Sequence, residues 1–238
     1  MRSEKSIVKP EFAGPGLPKG RLVFLPFMPF PEFSAEIKNK SRQTIGLSSA
    51  KLYYLEHQAV LIGSLGAPAA ISSLEKIRLA GLKKIFLLSY CGSLSENLRI
   101  GQAFLPLRAF SEEGTSAHYL GQRHKTVTAP GNLSKRLLSY LKKDSRPFAT
   151  GTIVSTDAPY RETPAWMKKM QKKGLKAVDM EASAIFAFGH FYRIQVAALF
   201  LVSDELFSGR WKNGLRSPEL KQATEEYFKP FLDKPLIW

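Results

Sequence analysis

Acidic side chains carry most of the chemistry that this chain's residue pattern makes available. Three polar clusters stand where apolar runs end: Ser155-Thr156-Asp157 with Tyr160 close behind, Asp179-Met180-Glu181, and Ser203-Asp204-Glu205. A carboxylate at such a place can accept hydrogen bonds from a ligand's hydroxyls, and a carboxyl that keeps its proton can donate it to a group on which negative charge develops. An Asp there can equally cap the helix that follows, and a first-turn Glu can complement the helix dipole. Both readings stand for Asp157, Asp179, Asp204 and Glu181 taken singly. Two glycine-bearing stretches, Gly63 to Pro68 and Ser89 to Ser93, offer backbone N–H groups that an anion or sugar could approach closely, although Gly and Pro also mark plain turns.

The elements that must position these residues follow from periodicity. Residues 1–20 hold Pro10, Gly14, Pro15, Gly16, Pro18 and Gly20, which predicts an irregular arm, with one domain over residues 21–238. Strands are expected at Arg21 to Phe27, Lys51 to His57, Ala59 to Gly63, Ile85 to Ser89, Ala103 to Phe110, Ala149 to Ser155, Val178 to Met180 and Gln195 to Ser203. Helices are expected at Pro68 to Ala80, Leu133 to Lys142, Pro164 to Lys173, Glu181 to Tyr192 and Pro218 to Phe228. This alternation predicts a single α/β domain whose mixed, mainly parallel central sheet is flanked by helices. Such sheets bind ligands at the carboxyl ends of their strands.

With 238 residues and 44% apolar content, the chain suits one sizeable core. No run approaches the roughly 18 uninterrupted apolar residues of a membrane helix, and the first twenty residues lack a signal core, so a cytoplasmic protein with no membrane partner is expected. The formal charge of +15 is spread over several helices without an aromatic ladder, which favours solvated faces over a specific nucleic-acid groove. Cys91, alone, reads as a small buried hydrophobe after Ile85 to Leu88. His118 and His124 are too far apart for a helical metal pair, and no metal or cofactor is expected.

Taken together, the clusters resemble a known family. Val178-Asp179-Met180-Glu181-Ala182-Ser183 is similar to the ribose-binding segment of purine nucleoside and uridine phosphorylases and of methylthioadenosine nucleosidases. Val202-Ser203-Asp204 is similar to the segment that places an Asp over the base in the purine-acting members. Gly63 to Pro68 resembles the family's glycine-proline helix start, Cys91-Gly92-Ser93-Leu94 its glycine loop, and Gly114 to His118 a loop of the uridine-acting branch. The motifs run in order over roughly residues 20 to 230.

The resemblance implies cleavage of the N-glycosidic bond of a nucleoside or related N-riboside, in a homo-oligomer, without a cofactor beyond phosphate as a co-substrate. Met180 and Glu181 would clamp the ribose, and Asp204 would give a proton or hydrogen bond to the base. Tyr160, Asp157 and Arg210 would line the base, with Lys212 and Arg216 as alternatives to Arg210. The phosphate end departs from the pattern. Leu87 and Tyr90 stand where phosphorylases carry an arginine and a Ser or Thr, and Phe27 to Glu32 stands where their early phosphate loop belongs. The nucleophile's pocket is then left to Tyr90, Cys91, Gly92 and Arg161. Glu32 is the nearest counterpart of the glutamate with which nucleosidases activate water, with a surface glutamate as the alternative, and the alternative for Arg161 is a salt bridge to Glu162 or solvent exposure. A non-catalytic nucleoside-binding descendant of the fold is the competing expectation.

Overall fold

The computed structural model describes residues 6–27, 30–121, 125–233 and 238. Met28 and Pro29, His124 and the first five residues of the arm lie outside the described residues. Among the described residues, eleven strands form one mixed sheet: β1 (Arg21–Leu25), β2 (Gln43–Gly46), β3 (Ala50–Tyr54), β4 (Ala59–Gly63), β5 (Lys84–Ser93), β6 (Ala103–Ser111), β7 (Thr126–Thr128), β8 (Phe148–Ser155), β9 (Leu175–Asp179), β10 (Gln195–Glu205) and β11 (Lys212–Asn213). The order is β11-β10-β6-β8-β9-β5-β1-β4-β3-β2, with β7 on the side of β6. Strand β10 also pairs with β5, so β5, β10, β6, β8 and β9 close into a ring. Strands β4, β1, β5 and β10 are mutually parallel, while β6, β8 and β9 form a second parallel set running the opposite way.

Residues 22–25 of β1, 85–88 of β5 and 196–202 of β10 are wholly apolar because both faces of these strands are covered. Along β10, Val196, Ala198, Phe200 and Val202 join one core, which is closed by α2 (Ala67–Arg78) and α6 (Ala182–Tyr192). Ala197, Leu199 and Leu201 join the other, beneath α1 (Pro31–Lys40), α4 (Leu133–Lys143), α7 (Pro218–Phe228) and α8 (Pro230–Asp233). Helix α5 (Pro164–Lys172) packs Met167 and Met170 on a smaller cluster with Val154 and Val178. The short α3 (Ser116–Leu120) lies against α6. No helix among the described residues is long and apolar enough to cross a membrane.

Three differences from the sequence reading bear on the site. Helix α1 is not among the helices expected from periodicity; Pro31 stands in its first turn, where the missing N–H costs nothing, and Phe33 and Ile37 face the core. Strand β5 runs on to Ser93, so the expected glycine loop is strand. Strand β10 likewise continues through Glu205, so Asp204 caps no helix.

Helix α6 is buried from Ala182 to Gly189, and its close seating depends on Gly189. A Cβ there would lie 2.6 Å from Pro130 Cγ, 2.7 Å from Val196 Cγ2 and 2.9 Å from Ile194 O. Gly189→Ala gains about 1 kcal/mol of helix propensity, but overpacking at about 1–3 kcal/mol outweighs it. The variant is expected to unfold at a lower urea midpoint than the parent.

Candidate functional site

Helix α6 begins in a knot of buried acids. Asp179, the last residue of β9, accepts the backbone N–H of Glu181 at 3.0 Å and of Ala182 at 2.7 Å, together with the Ser155 hydroxyl at 2.6 Å. The capping that the sequence allowed for Asp179 is therefore what it does. Because Asp179 caps the helix, Glu181 is free to point elsewhere although it occupies the N-cap position itself. Its Oε1 accepts the N–H of Gly66 at 2.6 Å, and Gly66 is the residue before α2. The amino ends of α2 and α6 thus meet at one buried carboxyl, and the N–H that the sequence offered to an anion or sugar is given to Glu181. No basic side chain among the described residues forms an ion pair with Glu181. Burial, followed by the neighbouring Asp179, pushes its proton affinity up. Asp179 is shifted upward too, by burial and against its own hydrogen bonds.

Beneath them lies Glu113, which the sequence reading missed. Its carboxylate accepts from the hydroxyls of Ser111 (2.8 Å), Ser116 and Ser183 (2.8 Å), and from the N–H groups of Thr115 (2.5 Å) and Ser116 (3.0 Å). Burial opposes its charge, but the donors from Ser116, Ser111 and Ser183 prevail and hold it below the usual glutamate range. Ser183 sits two residues after Glu181, and the Ser155 hydroxyl that binds Asp179 also accepts the Ser183 N–H at 2.9 Å. The only signal in sequence was the crowding of hydroxyls around Glu113, from Ser111 to Ser116.

Asp204 reaches the same end of the sheet from β10. The β10–β5 register slips at Ser203, so that Val202 pairs with Cys91 and Asp204 with Gly92. This bulge re-aims the Asp204 side chain. Gly92 makes room for it: a Cβ there would stand 3.2 Å from Asp204 Oδ2, 3.1 Å from Val178 Cγ1 and 2.6 Å from Leu206 Cδ1. Across the strands, Asp204 pairs with Gly92 and Gly92 with Val178, one residue before Asp179. Asp204 Oδ1 accepts the Ser203 hydroxyl at 2.7 Å and Oδ2 accepts the Trp211 indole N–H at 2.9 Å. Trp211 thus takes the supporting place left open among Arg210, Lys212 and Arg216. Arg210 and Arg216 are exposed, and Lys212 pairs with Glu205 at 3.5 Å.

The other sequence candidates divide. Met180 is half-buried beside Glu181, and Tyr160 stands almost wholly exposed on the turn 159–161. Asp157 does not cap a helix and is engaged by the Gly114 N–H at 3.0 Å. Arg161 is exposed and forms no ion pair with Glu162. Glu32 lies in the first turn of α1, exposed and paired with Lys221 at 2.6 Å, an open setting rather than that of an enclosed base. His118 is also exposed.

Leu87 is fully buried, and Tyr90 stacks on Phe27 with ring centroids 4.0 Å apart while its hydroxyl meets Thr224 at 2.8 Å. The Tyr90 phenol is pushed up to about 12, chiefly by burial. Cys91 is buried, and burial together with Asp204 and Asp179 keeps its thiol protonated, so it acts as a small hydrophobe. Gly92 serves the approach of Asp204, so of the four residues assigned to the nucleophile's pocket none presents a positive charge inside it. Beyond Phe27, a cavity of about 600 Å³ opens between the ends of β1 and β4, lined by Ser49, Lys51, Ile62, Ser64 and Leu65.

Residues 23–229 match the profile of the Phosphorylase superfamily. The chain is similar to a guanosine phosphorylase of Halorubrum lacusprofundi, 25% identical over 162 residues that make up 68% of this chain and 67% of the relative. It is also similar to a DeoD-type purine nucleoside phosphorylase of Brevibacillus brevis, 24% identical over 204 residues and 85% of each chain. Its fold is similar to that of purine nucleoside phosphorylase from Toxoplasma gondii in complex with immucillin-H, with a TM-score of 0.72, 18% identity and coverage of 90% and 88%. Uridine phosphorylase from Vibrio fischeri gives a TM-score of 0.66, 21% identity and coverage of 79% and 80%. The chain belongs to the phosphorylase superfamily.

The raised proton affinity of Glu181 has a consequence for stability. As pH climbs above the ordinary glutamate range, the unfolded chain gives up this proton before the folded one does, so folding stability falls with pH. Glu181→Gln removes that loss. Its stability relative to the parent is expected to grow from pH 5 to pH 8, read as the difference in urea midpoints, and a difference independent of pH would show that Glu181 is not held protonated.

Proposed function

We propose that this enzyme of the phosphorylase superfamily cleaves the N-glycosidic bond of a nucleoside or related N-riboside, with phosphate or water as nucleophile. The observation that carries this reading is the convergence of Glu181 and Asp204 from separate strands, each freed from local capping by another device. Breaking the C1′–N bond sends its electron pair to the base and leaves positive charge on the ribose. Glu181, which keeps its proton, exchanges hydrogen bonds with the ribose hydroxyls and, with Met180 packed beside the sugar, fixes the ring. The buried acids below, with Glu113 ionised, favour the positive charge that grows at C1′. Asp204 gives a proton to the departing base, and Tyr160 closes over the base from the turn 159–161. The relatives named guanosine, purine nucleoside and uridine phosphorylases support the reaction class. No cofactor enters this reading, although inorganic phosphate serves as co-substrate if phosphate attacks.

The cytoplasm is the proposed setting, in keeping with a lone buried Cys91. The proposed assembly is a homo-oligomer, supported by Leu65, Tyr160 and Trp211, which are 61%, 99% and 64% exposed and are each next to or near a residue of the site. The Phe27–Tyr90 stack favours one second reading, a nucleoside-binding protein without turnover.

Base release from a panel of purine and pyrimidine nucleosides, with and without phosphate, separates these cases. Release that needs phosphate would mean that backbone and hydroxyl donors hold the dianion without an arginine; release without phosphate identifies water. Binding by calorimetry with no release would establish the second reading. In an active protein, Asp204→Asn is expected to lower kcat about a hundredfold or more. Glu181→Ala is expected to lower kcat/KM by at least as much.

A further inference from the structure

Three cations gather at the amino ends of the parallel strands, the end of the sheet away from Glu181 and Asp204. Arg21 is the first residue of β1 and Lys84 the first of β5, and the two stand side by side in register. Gln195, the first residue of β10, completes the row beside Lys84. Side chains alternate along a strand, and Val23, Phe86 and Ala197, two residues further on in each strand, join the core beneath α4. Arg21, Lys84 and Gln195 therefore face α4. The Trp238 ring, in edge contact with Phe86 at 4.6 Å between centroids, lies 5.5 Å from Arg21 Cζ, which places the guanidinium on that same face. Arg136 comes from α4 itself. The start of this helix is tied to the start of β10 by the Ser134 hydroxyl, which donates to Val196 O at 3.3 Å, and by the Val196 N–H, which donates to Pro130 O at 3.0 Å.

No acid answers these charges. Arg21, Lys84 and Arg136 enter no ion pair with any described residue. Arg21 and Lys84 are half-buried, and Arg136 is exposed above them. Arg21 Nη1 is shielded from water and meets no hydrogen-bond acceptor among the described residues. An N–H left in that state is costly, and like charges on neighbouring strands repel. Burial and then Arg136 lower the proton affinity of Arg21, while burial, Arg21 and Arg136 lower that of Lys84. A small oxyanion set among the three would accept the hydrogens of Nη1 and cancel the repulsion. A phosphoryl dianion suits the place better than a carboxylate, because three cations surround it and a guanidinium can bind two of its oxygens at once.

We propose that Arg21, Lys84 and Arg136 form a phosphoryl-binding site at the amino ends of β1 and β5, which takes inorganic phosphate or the phosphate of a nucleoside monophosphate. Arg21 supplies paired N–H donors, Lys84 and Arg136 supply balancing charge, and the Gln195 amide adds a neutral donor at the end of the row. The site lies at the opposite end of the strands from the acids and is independent of the N-glycosidic reading.

The test is calorimetry on the full chain at low ionic strength, with inorganic phosphate, adenosine monophosphate and adenosine as probes. Binding of at least one phosphate probe is expected, weakened about tenfold or more in Arg21→Gln and in Lys84→Gln and by a smaller factor in Arg136→Gln. Lys142→Gln removes one charge from the exposed far end of α4 and should change binding less than about twofold. Inorganic phosphate bound as well as the monophosphate identifies a site for the free anion; the monophosphate bound alone identifies a site for the ester. Adenosine, which lacks the phosphoryl group, should bind the parent and the variants alike. Overturning results are no binding of either phosphate probe, binding that survives in Arg21→Gln and Lys84→Gln, or equal losses in all four variants, which would reduce the effect to net charge. If Arg21→Gln does not fold, Lys84→Gln decides by the same criterion. Thermal unfolding is the second readout. Phosphate should raise the Tm of the parent more than chloride at equal ionic strength, and this surplus should shrink in Lys84→Gln; a surplus of the same size in both proteins is a general salt effect and overturns the site.

Discussion

The capping of α6 by Asp179 is the interaction on which the site depends. A helix that is buried from its first residue cannot leave its amino end to water, and a carboxylate three residues back, locked by the Ser155 hydroxyl, supplies the acceptor. Had Glu181 capped its own helix, it would have been spent on structure. Because Asp179 does so, Glu181 can turn towards Gly66 and the mouth of the sheet. The arrangement places two unpaired acids side by side in a dry setting, and the resulting pressure to stay protonated is a cost in stability that the fold bears at its functional end.

Asp204 owes its place to a different constraint. A register slip of one residue at Ser203 and the missing side chain of Gly92 let β10 bring a carboxylate in against β5. On the far side of the same strands the chain has changed character. Leu87 joins the core beneath α2 and α6, and Tyr90, on the other face of β5, stacks on Phe27 and reaches Thr224. An arginine-lined anion site and an aromatic stack cannot occupy the same volume, so the strand ends that carry Glu181 and Asp204 are built of acids and hydroxyls while the end of β5 beside Phe27 is filled by aromatic rings. The contrast with the formal charge of +15 is spatial: exposed lysines and arginines dominate the surface, and the acids that matter are inside.

Much of this was legible from residue order. The unbroken apolar runs of β1, β5 and β10 announced strands covered on both faces, and the amphipathic pattern of α4, α5 and α7 announced the helices that cover them. The polar clusters at 155–157, 179–181 and 203–205 marked the carboxyl ends of β8, β9 and β10, since such residues have no place in a core unless they are bonded or used. Met180, Glu181 and Asp204 came from that reasoning together with the order of the motifs.

Tertiary structure alone decided which acid does which work. Spacing cannot distinguish a capping Asp from a free one, because the decision depends on what approaches from elsewhere in the chain: Ser155 for Asp179, Gly66 for Glu181, Gly114 for Asp157 and Trp211 for Asp204. It also placed Glu113, whose sequence neighbours say nothing of Ser183, 70 positions away. Glu32 and Arg161, plausible by position, went to the surface because the turns that carry them face solvent. Local pattern fixes where strands and helices end. Partner choice at those ends is a contact between distant segments, and only the folded chain makes it.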